Sequence, residues 1–240
     1  MGKLLRYIIT ILLLIIIVCS ILYFINKDLF LKYTNEDGLI ENLTAGVCFF
    51  FSVFLLIRYI KASKNRSTSW KIVNILMILG LFFVFGEEIS WGQRIFDIES
   101  NEFFLENNKQ QETNLHNLKV LGIGVNKLIF GKLLTLIFGF YFLFGYVLYK
   151  KVPSIKKIVN DLGIPIPKAS QTAVLLGVTA LIMTVPDSNK WELWELMLSV
   201  ILLWAFIDPY NEDEKLFYMK KELKIKNRLK IYPPTTIKVP

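Results

Sequence analysis

The chain has 240 residues, 54% of them hydrophobic, with a mean hydropathy of +0.47 and a net charge of +8. Apolar content at that level, gathered in long runs, excludes an ordinary soluble domain and predicts an all-α, multi-pass membrane protein. The basic residues sit in short clusters between the runs, the pattern of positive-inside topology, so nucleic acid is excluded as a partner and membrane lipid is the expected one.

A hydrocarbon core about 30 Å thick needs roughly 20 helical residues, and six runs within residues 1–207 meet or approach that length. The first, Leu5 to Ile25, follows Lys3 and Arg6. It is too long for a signal-peptide core and lacks a small-residue cleavage site, which makes it a retained span. Cys19 and Cys48 fall inside apolar runs and behave as small hydrophobes, so neither a disulfide framework nor a Cys-based zinc site is expected. The motif EDGLIE, Glu36 to Glu41, leads into the second span, Leu39 to Tyr59. Carboxylates in a first turn complement the helix dipole, and Gly38 with Glu41 can form a capping pair. That role accounts for Glu36 and Asp37, whereas Glu41 points deeper and stays a candidate ligand.

The third span, Ile72 to Trp91, ends in GEEISWGQR, Gly86 to Arg94. Glu87 and Glu88 lie towards the negative end of that helix, where the dipole disfavours carboxylates. At about 1.5 Å per residue they stand roughly 24 Å beyond Lys71, still within the outer edge of the hydrocarbon. A charge there costs several kcal/mol, which makes both glutamates functional candidates. On a continuous helix Glu87, Ser90, Trp91 and Arg94 share one face, so the plainer alternative is an internal ion pair closed by Arg94. A polar outer loop, residues 92–127, follows. Its stretch NNKQQETNLHN, Asn107 to Asn117, holds Glu112 and the only histidine, His116. If helical, those two share a face, and the segment lies along the interface or dips back into the bundle. The plainer alternative is a solvated loop with a surface histidine.

The fourth span, Leu128 to Leu148, precedes a short interfacial segment from Val152 to Lys168 with three prolines. The fifth, Ser170 to Val185, is small and polar at Ser170, Gln171, Thr172 and Gly177, which suits a helix packed among others. PDSNKWELWE leads into the sixth, Trp191 to Ile207. Asn189 and Glu192 predict a capping box there, while Glu195 lies a turn deeper with no such role. Trp191 and Trp194 read as a membrane-interface belt. Residues 208–240 form a basic cytoplasmic tail, starting as an exposed helix, ending disordered and drawn to phospholipid headgroups.

Six spans place both termini on one side. The N-terminus, the second-to-third loop with Arg58 and Lys61, the stretch 150–168 and the tail hold most of the 28 basic residues, so both termini are expected in the cytoplasm of a cell-membrane protein. The acidic clusters and His116 then gather at the outer side. Several carboxylates, one imidazole and amide donors suit a divalent cation such as Mg, Mn, Ca or Zn. With one histidine, a three-histidine zinc site is excluded, and no Gly-rich phosphate loop is present.

EDGLIE, GEEISWGQR and NNKQQETNLHN, in that order, resemble a family of uncharacterised bacterial multi-pass membrane proteins. The resemblance covers the second span through His116 and implies a shared site without naming an activity. The paired glutamates also resemble those of CPBP-type intramembrane proteases, in which an arginine stands four residues after the second. Here that place is Gly92, Arg94 falls two residues later, and Val120 stands where the family's His-x-x-x-Asn would need asparagine.

The leading expectation is a membrane enzyme acting by hydrolysis or group transfer on a lipid or lipid-linked substrate at the outer leaflet. Glu87 or Glu88 is its base or ligand, His116 its acid or ligand, and Arg94 an anion or ion-pair partner. Glu88, Glu112, His116, Glu41 and Glu195 are the candidate metal ligands, a divalent cation being the one cofactor suggested. Two alternatives stay open: a cation or proton transporter using the same carboxylates, and a non-catalytic scaffold held by a packed polar network.

Overall fold

The computed structural model describes residues 3–120, 123–124, 133–211 and 214, and these are almost entirely helical. Helix α1 (Lys3–Ile25) matches the first predicted span. A short helix absent from the sequence prediction, α2 (Lys27–Thr34), follows because the Asn26 side chain caps it, accepting the Leu29 N–H at 3.0 Å. Then come α3 (Leu39–Ala62), a 3-10 turn at Ser63–Asn65, and α4 (Thr68–Glu88). Ser67 starts α4 by accepting the Trp70 N–H at 3.1 Å, one turn earlier than predicted.

Helix α4 also stops three residues short of Trp91. Ser90, Trp91 and Gly92 turn into left-handed backbone with φ of 47°, 54° and 79°, so no continuous helical face carries Glu87 to Arg94. The backbone of Arg94 lies in the short α5 (Gln93–Phe96), and its side chain is outside the described residues. After α6 (Glu102–Asn107) the chain from 108 to 118 is irregular, and a two-residue antiparallel pair joins β1 (Lys119–Val120) to β2 (Ile123–Gly124). Glu112 and His116 therefore do not share a helical face. Helix α7 (Leu134–Lys151) holds the described part of the fourth predicted span, whose residues 128–132 lie outside it. The interfacial segment is α8 (Pro153–Leu162), opened by a first-turn proline and closed by Gly163 at φ 69°. Helices α9 (Ala169–Met183) and α10 (Lys190–Ile207) complete the described chain.

Among the described residues, four helical stretches are long and apolar enough to cross a membrane: α1, Lys27–Asn65, α4 and α7. Helix α9 is apolar but has 15 residues, and α10 has 18 with its charges, Lys190, Glu192 and Glu195, confined to the first two turns.

Helix α10 is the centre of the core. Leu193, Leu196, Met197, Val200 and Ile201 on it expose no surface. Helices α1, α3 and α9 pack around it, and α4 packs along α3. In hydrocarbon such contacts gain nothing from leaving water, so they rest on close packing and on polar contacts between helices. Helix α9 supplies several of the latter, as its composition predicts: Gln171 donates to the Trp204 and Asp208 carbonyls, both at 3.2 Å, and Thr172 to Phe142 O at 3.1 Å.

The start of α3, the end of α4 and the start of α10 meet at one end of the bundle, which carries Glu88. At the opposite end Arg58, read from the sequence as a loop charge, is fully buried on α3. Its guanidinium donates to Gly163 O at 2.8 Å and pairs with Glu214, whose other oxygen lies 3.2 Å from Arg66. The Trp70 ring lies beside both guanidinium groups, and only glycine fits at 163, where a Cβ would stand 1.9 Å from the indole nitrogen. Asn211 bridges to Ile166 N and Ile164 O at 2.8 and 3.0 Å. The start of the tail is thus docked and buried instead of an exposed helix, because a guanidinium in an apolar interior requires its carboxylate. Residues 215–240 lie outside the described chain.

Candidate functional site

Three residues distant in sequence converge at the Glu88 end. Glu88 closes α4, Glu195 stands in the second turn of α10, and His116 comes from the irregular loop; one ligand-capable atom of each lies within 4.8 Å of the others. Ligands about 2.1 Å from a shared ion are at most about 4.2 Å apart, so side-chain rotation alone would complete such a set.

The motif GEEISWG explains how the loop reaches this place. Glu87 turns away from Glu88, and its carboxylate accepts the Leu115 and His116 N–H groups at 2.6 and 2.9 Å and the Trp91 indole N–H at 2.8 Å. The left-handed turn at 90–92 folds the indole back over Gly86, where a Cβ would meet the ring at 2.7 Å. One glutamate of the pair therefore enters the cluster while its neighbour holds the histidine loop.

The amides in the loop secure its own shape. Asn108 donates to the backbone and side-chain oxygens of Asn114, both at 2.9 Å, and Asn114 donates to Ser90 Oγ at 2.8 Å. Gln93 accepts the Thr113 N–H at 2.6 Å and donates to Ser100 Oγ at 2.6 Å. Satisfied networks of this kind fix one backbone path, here one that is not helical.

Glu112 belongs to this framework, accepting from the Ser90 hydroxyl and from Asn114 at 3.2 Å, and is not among the three converging ligands. Glu41 accepts the Asp37 N–H, one residue before the Gly38 N-cap, so the expected pair of Gly38 with Glu41 does not form, and it remains within electrostatic reach of Glu88 and Glu195. Asn189 and Glu192 form no capping box. The Asn189 side chain instead donates to Asn35 Oδ1 at 2.8 Å, tying two connections together, and Glu192 joins the carboxylates around Glu88. Glu192, Ser90, Gln93 and Ser100 are the participants that sequence reasoning missed. Ser90 lies inside the motif itself, but Glu192 was masked by its plausible cap, and Gln93 and Ser100 carry no local signal.

Four carboxylates, Glu41, Glu88, Glu192 and Glu195, are thus in mutual electrostatic contact. Their repulsion in a low-dielectric setting is relieved by a cation or by shared protons. Burial, with a smaller push from Lys109, lowers His116 to about 4, which keeps the imidazole neutral near pH 7 and in the form that binds metal. Behind Glu88 and Glu195 opens an apolar cavity of about 350 Å³ between α3, α4, α7 and α10.

No family model, curated protein or solved structure matches the chain.

Proposed function

We propose that this is a six-span membrane enzyme, both termini cytoplasmic, that holds a divalent cation at Glu88, His116 and Glu195 near the outer leaflet. It hydrolyses or transfers a group of a lipid or lipid-linked substrate. The convergence of those three side chains from α4, α10 and the loop carries the reading. Intramembrane ionisable groups are costly, and here a second glutamate, a left-handed turn and an amide network are spent on bringing a neutral imidazole to two of them.

Two carboxylates and one imidazole suit a borderline ion such as Zn or Mn better than Ca or Mg, which favour all-oxygen shells. Three protein ligands would leave a position for water, and a Zn²⁺ held there would supply the acidification of that water. Glu192 and Glu41, carboxylates in electrostatic contact with Glu88, would be the groups to take up a proton. Six spans require α9 and α10 beside the four long stretches, and what supports counting α10 is that it is the buried axis of the bundle with its charges only at the site end.

Elemental analysis of the purified full-length protein tests this reading. It should hold a single equivalent of Zn or Mn, lost in Glu88→Gln, His116→Ala and Glu195→Gln without loss of cooperative unfolding. Wild-type protein that stays cation-free after equilibration with each ion would sink the proposal.

A further inference from the structure

The apolar cavity behind the carboxylates has a definite length. Its walls run from Thr44 to Leu55 on α3, from Met77 to Glu88 on α4 and from Trp194 to Phe206 on α10, eleven or twelve residue steps in each case, with Leu134 and Phe138 of α7 beside them. At about 1.5 Å per residue this is about 16–18 Å, roughly half of a hydrocarbon core about 30 Å thick. The slot is therefore one leaflet deep.

Its polarity is one-sided. Glu88 and Glu195 stand at the same end, whereas the hydroxyls of Thr44 and Ser199 are turned back onto Ile40 O and Leu196 O at 3.0 and 2.8 Å. Both α4 and α10 lean on α3, and Leu134 and Phe138 of α7 line the remaining side, but among the described residues α4 packs along neither α10 nor α7. The boundary between α4 and α7 is thus a seam on the side of the bundle. Water does not fill an apolar void of this kind, and the surrounding membrane offers hydrocarbon.

We propose that the slot binds one acyl chain of a membrane glycerolipid, admitted sideways between α4 and α7, with the polar linkage of that chain against the Glu88–His116–Glu195 cluster. The proposal rests on the reading of that cluster as a working site and names the substrate class it acts on. An acyl chain matches one leaflet in length, and a polyprenyl chain is several times too long for the slot. In lipid the chain gains little by exchanging one apolar neighbour for another, so its placement depends on the polar end, which is where the carboxylates and imidazole lie.

Gly80 provides the test. It lines the slot, and a Cβ there meets nothing within 4 Å, so Gly80→Leu starts its side chain in open space beside the slot. Gly46, exposed on α3 with equally open surroundings, gives the control Gly46→Leu. Full-length protein is reconstituted in phosphatidylglycerol and phosphatidylethanolamine vesicles containing a phosphatidylcholine with a mid-chain diazirine. It is then irradiated, and adducts are mapped by mass spectrometry alongside cation content. Adducts should concentrate on slot residues such as Leu81, Leu198 and Leu202, vanish there in Gly80→Leu while persisting on exposed Phe140 and Phe144, and survive Gly46→Leu. Cation-loaded protein labelled only on its exposed faces, or slot labelling unchanged by Gly80→Leu, overturns the acyl-chain assignment and leaves the metal site standing. Slot labelling in protein that never binds a cation supports the chain site and overturns the metal reading instead.

Discussion

Replacing Glu87 by Gln separates the two glutamates of the motif most sharply. The Glu87 carboxylate accepts three N–H groups, from Trp91, Leu115 and His116, and a hydrogen bond to a charged group contributes about 1.5–3 kcal/mol. A Gln carbonyl can still face the two backbone donors, but its amide then opposes the indole N–H, and charge assistance is lost throughout. The loop anchoring should weaken by about 3 kcal/mol, or roughly a hundredfold in the closed-to-open ratio. Hydrogen exchange followed by mass spectrometry reads this directly at the Leu115 and His116 amides, whose protection should fall by about that factor. Cation affinity should drop in parallel, since His116 is then presented for less of the time. Unchanged exchange with a lost cation would refute the positioning role and make Glu87 a ligand.

Trp91→Phe keeps a ring over Gly86 but removes one donor, and should loosen the same amides by only about tenfold. Gly86→Ala puts a methyl group into the indole, 2.7 Å from its nearest ring atom; displacing the ring should cost about 1–3 kcal/mol, visible as a lower unfolding temperature in detergent. Glu112→Gln and Glu41→Gln should both retain the cation by elemental analysis, because these carboxylates serve Ser90 and the Asp37 amide. Arg58→Ala strands the buried Glu214 beside Arg66 alone and should destabilise by about 3–5 kcal/mol, whereas Arg58→Met with Glu214→Leu should recover most of that in the same thermal assay.

The long apolar runs made the helices legible, because a span needs only length and hydropathy. Where a helix ends was less so: apolar character continues through Ile89 and Trp91, while the left-handed turn that stops α4 depends on Gly92 and on an indole folding over Gly86. Three of the five candidate ligands, Glu88, His116 and Glu195, come together, and each was legible as a titratable group at the polar end of an apolar run. Glu112 and Glu41 have the same composition-level signal, yet the fold gives each a nearby donor. Local spacing also misled at Asn189, which finds Asn35 across a gap of 154 residues in place of its own helix start. Arg58 sat next to basic loop residues and looked like one of them. Its role depends on a carboxylate 156 residues away, a separation that no periodicity records.

That separation bears on how the chain is made. Arg58 enters the membrane with α3 long before Glu214 leaves the ribosome, so for most of synthesis its guanidinium lacks its permanent counter-charge and must find one at the headgroup boundary. Only when residue 214 emerges can the Arg58 end of α3 settle. A truncation at residue 208, where the last described helix ends and a domain boundary would naturally be drawn, removes the piece that finishes folding.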